Sequence, residues 1–362
     1  MTTENGAKRT RVAILVESHF EDSEFQLPYK ALKNAGAEVI VLGTRMNDEY
    51  KGKKGKVSIK PDATATEVRS EDFDAVIIPG GAAPDKIRRN PNAVRLVMNA
   101  VAQGKLVASV CHGAQVLIEA DQLRGKQATG FSCIRKDMQN AGATYVNEPL
   151  VVDGNLITSR QPGDLPLFVT AILTRLGLSV EGSTPPDTGD TSYEWWKLGA
   201  AWGGSSRDDI VKTLNIAFVG ERYTSEAFQE YANKTTDPEL KLVIQEIINS
   251  KQRHVGLLEK RLNDFGEDAT WQAAGSDAFA RLQGWLQSSD DREIMRRALG
   301  DLQTGIVDGS GLSASVTDPA TAAILDEIAE NLSRHEARLS DLYRARMGET
   351  VMPPQPTTVP AS

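Results

Sequence analysis

The chain has 362 residues, which is long for one domain and comfortable for two. Its hydrophobic content of 40% and charged content of 25% are ordinary for a globular protein, and its net charge of −8 argues against nucleic acid or an anionic membrane as a partner. Only two cysteines occur, Cys111 and Cys133, so no disulfide framework is implied. Because no signal-peptide pattern and no apolar run of about 20 residues is present, we expect a cytoplasmic protein.

The first half of the chain alternates strand-like and helix-like segments. Strands are predicted at 11–16, 38–42, 74–78, 105–110 and 156–159, and helices at 24–35, 91–103, 112–119, 134–141 and 164–176. Such alternation predicts parallel strands that are joined by right-handed crossovers, with helices on both faces of one sheet. The expected fold class is therefore α/β.

Composition predicts four segments along the chain. We expect an α/β domain over 8–180, a linker with a tryptophan-rich stretch over 181–206, a helical bundle over 207–347 and a disordered tail over 348–362. The linker is indicated by the Pro, Gly, Ser and Thr residues that cluster just after residue 180. The tail is indicated by its proline-rich composition.

The second half contains an internal repeat. Thr236–Pro238 recurs 81 residues later as Thr317–Pro319, and Arg253–His254 recurs in the same register as Arg334–His335. Each proline stands where a helix tolerates one, in its first turn. Two helix pairs related by duplication predict a four-helix bundle of ferritin-like type.

The histidines of this bundle lack the spacing of a di-iron site. Such a site needs Glu-x-x-His on two helices, but His254 and His335 follow Lys251 and Leu332 at that spacing. We therefore predict no metal site and no cofactor. A cluster of acidic residues on the first bundle helix could still reach an ion, although its spacing is also that of a solvated helix face: Glu221, Glu226 and Glu230.

Cys111 has the sequence context of a nucleophile elbow. It follows the apolar run 105–110, which predicts a buried strand, and it precedes the helix-like run 112–119. A sharp strand-to-helix turn exposes the side chain at the turn, and the helix N-terminus favours a thiolate with a lowered pKa. The alternative is that Cys111 is a small buried hydrophobe, as most free cysteines are.

Two further features lie at carboxyl ends of predicted strands, where open α/β sheets bind ligands. Gly80–Gly81 ends one strand, and its bare N–H groups could bind an oxyanion or form an ordinary turn. The acidic run 20–24 follows the first strand, and one of its carboxylates could lie beside Cys111 with a raised pKa. The alternative is that these carboxylates only stabilise the first turn of the next helix, whose dipole favours negative charge at that end.

These motifs together resemble the PfpI-like branch of the DJ-1/PfpI superfamily over residues 10–178. The matching stretches, in chain order, are 20–24, 73–84, 107–113, 136–143, 151–155 and 159–165. The resemblance implies a flavodoxin-like α/β sandwich, a homodimer or larger homo-oligomer, and chemistry that needs no cofactor. The bundle resembles ferritin-like domains only loosely.

The resemblance also implies roles for individual residues. Cys111 would be the nucleophile, Glu21 the acid that supports its thiolate, and His112 the group that moves protons. The N–H groups of Gly81 and His112 would form the oxyanion pocket, which the neighbouring glycines would help to shape: Gly80 and Gly113.

The sequence departs from the PfpI-like pattern at two positions. Peptidases of this type use a Glu from a neighbouring subunit to orient the histidine, and here that position is Asp85, which is one methylene shorter. Cys133 stands where relatives carry another small residue. It could be a resolving thiol near Cys111 or a filler of a loop.

Three functions are compatible with these residues. The leading hypothesis is a glyoxalase- or deglycase-like enzyme whose Cys111 attacks a small dicarbonyl or a glycated protein or peptide. The second is an intracellular cysteine peptidase that uses the same nucleophile. The third is a redox sensor or chaperone without enzymatic activity, because an exposed thiolate oxidises readily.

Overall fold

The computed structural model of the protein describes residues 9–180, 182–269 and 290–347. The predicted tail over 348–362 lies outside these residues. Contacts within the described residues define two compact units. The first unit extends to Ile210 and includes Ser313–Ala323, and the second comprises Val211–Leu312 and the helix residues from Ile324 onward.

The first unit is built on a seven-stranded sheet with the order β10-β11-β7-β6-β1-β2-β5. All neighbouring strands of this sheet are parallel except β10 and β11, which form an antiparallel pair at one edge. Two short two-stranded ribbons, β3-β4 and β8-β9, lie outside it. The strands are β1 (Arg11–Leu15), β2 (Glu38–Gly43), β3 (Tyr50–Lys51), β4 (Ser58–Ile59), β5 (Ala63–Thr64), β6 (Ala75–Ile78), β7 (Leu106–Val110), β8 (Gln127–Ala128), β9 (Thr144–Tyr145), β10 (Leu150–Asp153) and β11 (Leu156–Ser159).

Helices cover the sheet and bury its central strands. Every residue of β6 and β7 is buried, as expected for parallel strands that are covered on both faces. The predicted strands and helices of this half are present within two or three residues of their expected bounds, which confirms the α/β fold class. The helices are α1 (Asp22–Asn34), α2 (Ala83–Ile87), α3 (Pro91–Ala102), α4 (Ala114–Glu119), α5 (Arg135–Asn140), α6 (Leu165–Arg175) and α7 (Trp195–Ala201).

The tryptophan-rich stretch belongs to the core of the first unit. α7 lies within it, and Trp195, Leu198 and Trp202 join the same hydrophobic cluster as the sheet. The segment Ser313–Ala323 also packs here, because the backbone N–H of Ser205 donates a hydrogen bond of 2.7 Å to Thr317 Oγ1. The stretch expected to be a linker is therefore ordered structure of the first unit.

The second unit is formed by the long helices α8 (Arg207–Lys234), α9 (Pro238–Asp264), α10 (Asp291–Ser313) and α11 (Pro319–Met347). Both halves of the sequence repeat begin a helix at proline. Asp237 caps α9 by accepting from two backbone N–H groups, and Asp318 accepts from the N–H of Thr321 at the start of α11. Side-chain hydrogen bonds connect the four helices into a bundle: Glu221–Lys251, Tyr231–Asp301, Ser250–His335 and Gln303–Glu336.

The core of the bundle contains a buried ionic cluster. Glu221 on α8 accepts a hydrogen bond from Lys251 Nζ at 3.1 Å and pairs with His254 Nδ1 at 2.7 Å.

Across residues 9–180, 182–269 and 290–347, no group of three or more His, Cys, Asp or Glu side chains is arranged to hold a metal ion. None of the helices in this part of the chain is both long and apolar enough to cross a membrane.

Candidate active site

Cys111 lies at the turn between β7 and α4. Its φ angle is +59°, in the left-handed region that non-glycine residues rarely adopt, and the 3₁₀ turn Cys111–Gly113 leads directly into α4. The side chain is only 7% exposed. A strained residue at such a strand-to-helix turn is typical of a functional site, so the predicted elbow is present.

Glycines allow the backbone to approach this sulfur. A Cβ placed on Gly80 would lie 2.7 Å from Cys111 Cβ, and one on Gly113 would lie 2.3 Å from the carbonyl oxygen of Ile78. Gly81 has a φ of +73°. The N–H groups of Gly81 and His112 are hydrogen-bonded to the Cys111 sulfur. The N–H groups assigned to the oxyanion pocket therefore face the reacting atom.

The carboxyl group beside Cys111 is that of Glu24, not that of the predicted Glu21. Glu24 is fully buried, accepts a hydrogen bond of 2.7 Å from the N–H of Gly80, and interacts with the Cys111 thiol. Glu21 instead forms ion pairs with two lysines of the loop that follows β3, Lys54 at 3.1 Å and Lys53 at 3.8 Å. α1 begins at Asp22, so its first turn directs Glu24 toward the sulfur.

Burial controls protonation of the Cys111–Glu24 pair. Burial, together with the charge of Glu21, raises the pKa of Glu24 to about 8. Burial and the Glu24 carboxylate also raise the pKa of the Cys111 thiol, against the opposing effect of the two N–H donors. The lowered thiol pKa expected from the helix N-terminus is therefore wrong for the resting site, in which the thiol needs a base to react.

His112 is placed to be that base. Its Nδ1 lies 3.3 Å from Cys111 Sγ, and its ring stacks on Phe131 with centroids 5.1 Å apart. Burial and the nearby positive charge of Lys53 lower the pKa of His112, so the ring is neutral at pH 7 and can accept a proton. Sequence reasoning missed Lys53, which the loop after β3 brings close enough for its charge to act on this site.

The two departures from the PfpI-like pattern differ in their placement. Asp85 lies on the exposed side of α2, where its carboxylate pairs with Arg88 at 2.6 Å. Its expected orienting role toward a neighbouring subunit stays a prediction. Cys133 lies at the site: its Sγ is 3.3 Å from His112 Nε2. Cys133, which was expected either to be a resolving thiol for Cys111 or to fill a loop, therefore contacts His112, whose other ring nitrogen contacts Cys111.

Comparison with known proteins matches the α/β part of the chain to one family. A model of the DJ-1/PfpI family matches residues 10–175. The chain is 41% identical over 168 residues to protein/nucleic acid deglycase 2 of Escherichia coli, which covers 46% of this chain and 98% of the relative. It is 42% identical over 158 residues to the putative cysteine protease YraA of Bacillus subtilis, with 44% and 93% covered.

A solved structure matches the whole architecture. It is a two-domain protein from Anabaena variabilis that contains DJ-1/ThiJ/PfpI-like and ferritin-like domains. The two chains are 55% identical with a TM-score of 0.89, over 97% of this chain and 99% of the other. The chain belongs to the DJ-1/PfpI family, and its α/β domain is followed by a ferritin-like helical bundle, as predicted.

Proposed function

We propose that the protein is a cysteine-dependent enzyme that acts on reactive dicarbonyls or on their adducts with proteins and small molecules. The observation that carries this proposal is the contact of 3.3 Å between Cys111 Sγ and His112 Nδ1, with the carboxyl of Glu24 also beside the sulfur. The directions of the pKa shifts favour a neutral His112 and a protonated Glu24. A nucleophile, a base and an acid converge there on one small volume. The chemistry uses only this chain's side chains and water.

The first step is addition of Cys111 to the aldehyde carbon of a 2-oxoaldehyde. The S–C bond forms, the C=O π pair moves to oxygen, and the thiol proton, accepted by His112 Nδ1, is returned to that oxygen to give a hemithioacetal. The N–H groups of Gly81 and His112 stabilise the negative charge that develops. Because Glu24 is protonated, it adds no second negative charge.

The second step moves a proton between the two oxygen-bearing carbons. His112 removes the proton from the carbon bonded to sulfur, giving an enediol, and returns it to the neighbouring carbon, while the hydroxyl proton on the first carbon moves to the second oxygen; this leaves a thioester on Cys111. Water then hydrolyses the thioester, releasing a 2-hydroxy acid and the free thiol. The sum is an oxoaldehyde plus water converted to a hydroxy acid, without external oxidant or reductant.

Incubation of the purified full chain with methylglyoxal tests this proposal. We expect lactate to accumulate with wild type and to fall by at least about a hundredfold with Cys111→Ala, since loss of a nucleophile removes the covalent route. Glu24→Ala should reduce the rate more than Glu21→Ala, which is the matched variant one helical turn away. Equal lactate formation by wild type and Cys111→Ala would reject the proposal.

Peptide hydrolysis by the same nucleophile is the second candidate. It is favoured by the Bacillus subtilis relative, which is named a putative cysteine protease. Asp85 is exposed on α2, and the orienting role expected of it requires a second copy of the chain. A fluorogenic peptide should then be cleaved by wild type but not by Asp85→Ala, whereas dicarbonyl turnover should not depend on Asp85.

A further inference from the structure

We infer that Cys133 is the positioning residue of His112: its sulfur accepts the Nε2–H and leaves the Nδ1 lone pair for the chemistry at Cys111. This inference rests on the proposed function, since it assigns His112 the role of base. It gives the second cysteine a part in the reaction itself. The orienting group of the histidine then comes from the same chain.

The geometry fixes the imidazole on three sides. Cys111 Sγ lies 3.3 Å from Nδ1, and Cys133 Sγ lies 3.3 Å from Nε2. Phe131 stacks on the ring at an interplanar angle of 28°. A ring that is bonded at both nitrogens and stacked on one face has little freedom to rotate away from the sulfur.

The loop that carries Cys133 is tied to the elbow. The N–H of Phe131 donates a hydrogen bond of 3.3 Å to the carbonyl oxygen of Cys111, and Ile134 on the other side of Cys133 is buried. The 3₁₀ turn Ser132–Ile134 therefore moves with the residue whose chemistry it supports. This attachment holds the turn of Cys133 beside the ring.

The direction of the two hydrogen bonds follows from the role proposed for His112 as the base. A neutral imidazole has one donor and one acceptor nitrogen. Burial keeps Cys111 a thiol, and His112 can take its proton only if Nδ1 is the acceptor, which places the ring proton on Nε2, facing Cys133. This is the arrangement of a triad, in which a third group selects the tautomer of the histidine.

A thiol in this place differs from a carboxylate in its charge. Burial and the nearby Asp137 raise the pKa of Cys133, so it stays neutral and gives the imidazolium no ionic support. Two other titratable groups lie at the site: Lys53, whose charge lowers the pKa of His112, and Glu24, which is protonated and interacts with Cys111. An anionic group at position 133 should therefore raise the pKa of His112 and move the acid limb of kcat to higher pH.

Three variants of Cys133 in the full chain test the inference, with Ser132→Ala as the control from the same turn. Cys133→Ala should lower kcat on methylglyoxal by about tenfold and leave KM within about twofold, because only the base is misoriented. Cys133→Ser keeps an acceptor and should restore most of kcat. Cys133→Asp should shift the acid limb of the kcat–pH profile to higher pH.

A second readout needs no turnover. The ¹⁵N shifts of the His112 ring, identified by their absence in His112→Gln, report which nitrogen carries the proton, and Cys133→Ala should change them while Ser132→Ala should not. Unchanged shifts together with a wild-type kcat–pH profile in Cys133→Ala would overturn the inference. If wild type does not convert dicarbonyls at all, the proposed function fails, and the ring shifts alone decide the role of Cys133.

Discussion

Two acidic groups share one buried volume at the site, the thiol of Cys111 and the carboxyl of Glu24. Burial penalises the charged form of both groups, and Glu24 raises the pKa of the Cys111 thiol, whereas the hydrogen bond with Cys111 lowers the pKa of Glu24. The pair therefore keeps at least one proton near neutral pH, since the doubly ionised state is the least stable. Glu24 Oε1 is buried without a well-aligned hydrogen-bond partner among the described residues, which also favours a proton on this carboxyl.

The raised pKa of Glu24 makes the stability of the protein depend on pH. The value rises from 4.5 to about 8 on folding, so its contribution is fully present below pH 4.5 and is lost as the pH rises through 8. Between pH 5 and 8, wild type should lose about 3 kcal/mol of unfolding free energy relative to Glu24→Gln, which cannot ionise. Urea denaturation at several pH values measures this difference, and Glu119→Gln, an exposed carboxylate variant, is the control. If the unfolding free energies of wild type and Glu24→Gln change in parallel with pH, this prediction is wrong.

Gly80 is the glycine on which the site geometry depends most directly. A Cβ there would lie 2.6 Å from Glu24 Oε2, 2.7 Å from Cys111 Cβ and 2.8 Å from the backbone nitrogen of His112. Gly80→Ala should therefore displace the nucleophile and lower kcat/KM on methylglyoxal by about a hundredfold, as small misplacements of reacting groups do. Gly256→Ala is the control, because a Cβ there meets nothing within 4 Å. A fully active Gly80→Ala variant would show that the site tolerates this displacement.

At the scale of elements, the turn that carries Cys111 could be predicted from the sequence, but the identity of the carboxylic acid beside it could not. The strand and turn around Cys111 are encoded within a few neighbouring residues. The identity of the acid depends on where α1 begins: the predicted start at residue 24 leaves the acidic run as a loop, whereas the helix starts at Asp22 and places Glu24 in its first turn. A shift of two residues changes which carboxylate faces the sheet, because helical side chains rotate by about 100° per residue.

The loop of Lys53 was missed for a related reason. The two-residue strands β3 and β4 carry too little periodicity to be recognised from sequence. The loop is held by the buried carboxylate of Asp22, which accepts hydrogen bonds from the N–H groups of Lys54 and Val57 at 2.7 and 2.8 Å. Its position over the site is thus set by a long-range contact, whereas the helix pairs of the bundle were visible from an internal repeat.

Breaking the ionic cluster between α8 and α9 should destabilise the bundle. Burial alone raises the pKa of Glu221, but the hydrogen bond of His254 and the charge of Lys251 outweigh it and lower the pKa overall. Glu221→Leu leaves the ammonium of Lys251, which is 1% exposed, without its counter-charge and should cost about 3–5 kcal/mol. Adding Lys251→Met should recover a substantial part of this loss. Circular dichroism during urea denaturation measures both variants, and a double variant no more stable than Glu221→Leu would refute the explanation.

At the scale of the whole molecule, each unit is built from two separate stretches of the chain. The chain leaves the first unit after Ile210 and contributes to it again at Ser313–Ala323. Composition predicts domains as consecutive segments, because it detects linkers and does not detect a return of the chain over a hundred residues later. A cut near residue 206 would therefore remove a part of the α/β unit together with the bundle.

The returning segment is joined to the first unit by a reciprocal pair of buried hydrogen bonds. The N–H of Ser205 donates to Thr317 Oγ1 at 2.7 Å, and the N–H of Thr317 donates to Ser205 Oγ at 3.1 Å. Thr317→Val keeps the shape of the side chain but leaves the N–H of Ser205 buried without that acceptor, which should cost about 1–3 kcal/mol of unfolding free energy. Thr304→Val, on an exposed threonine, should cost less than about 0.5 kcal/mol. Urea denaturation of the full-length variants measures both, and an equal effect of the two substitutions would show that the returning segment does not stabilise the first unit.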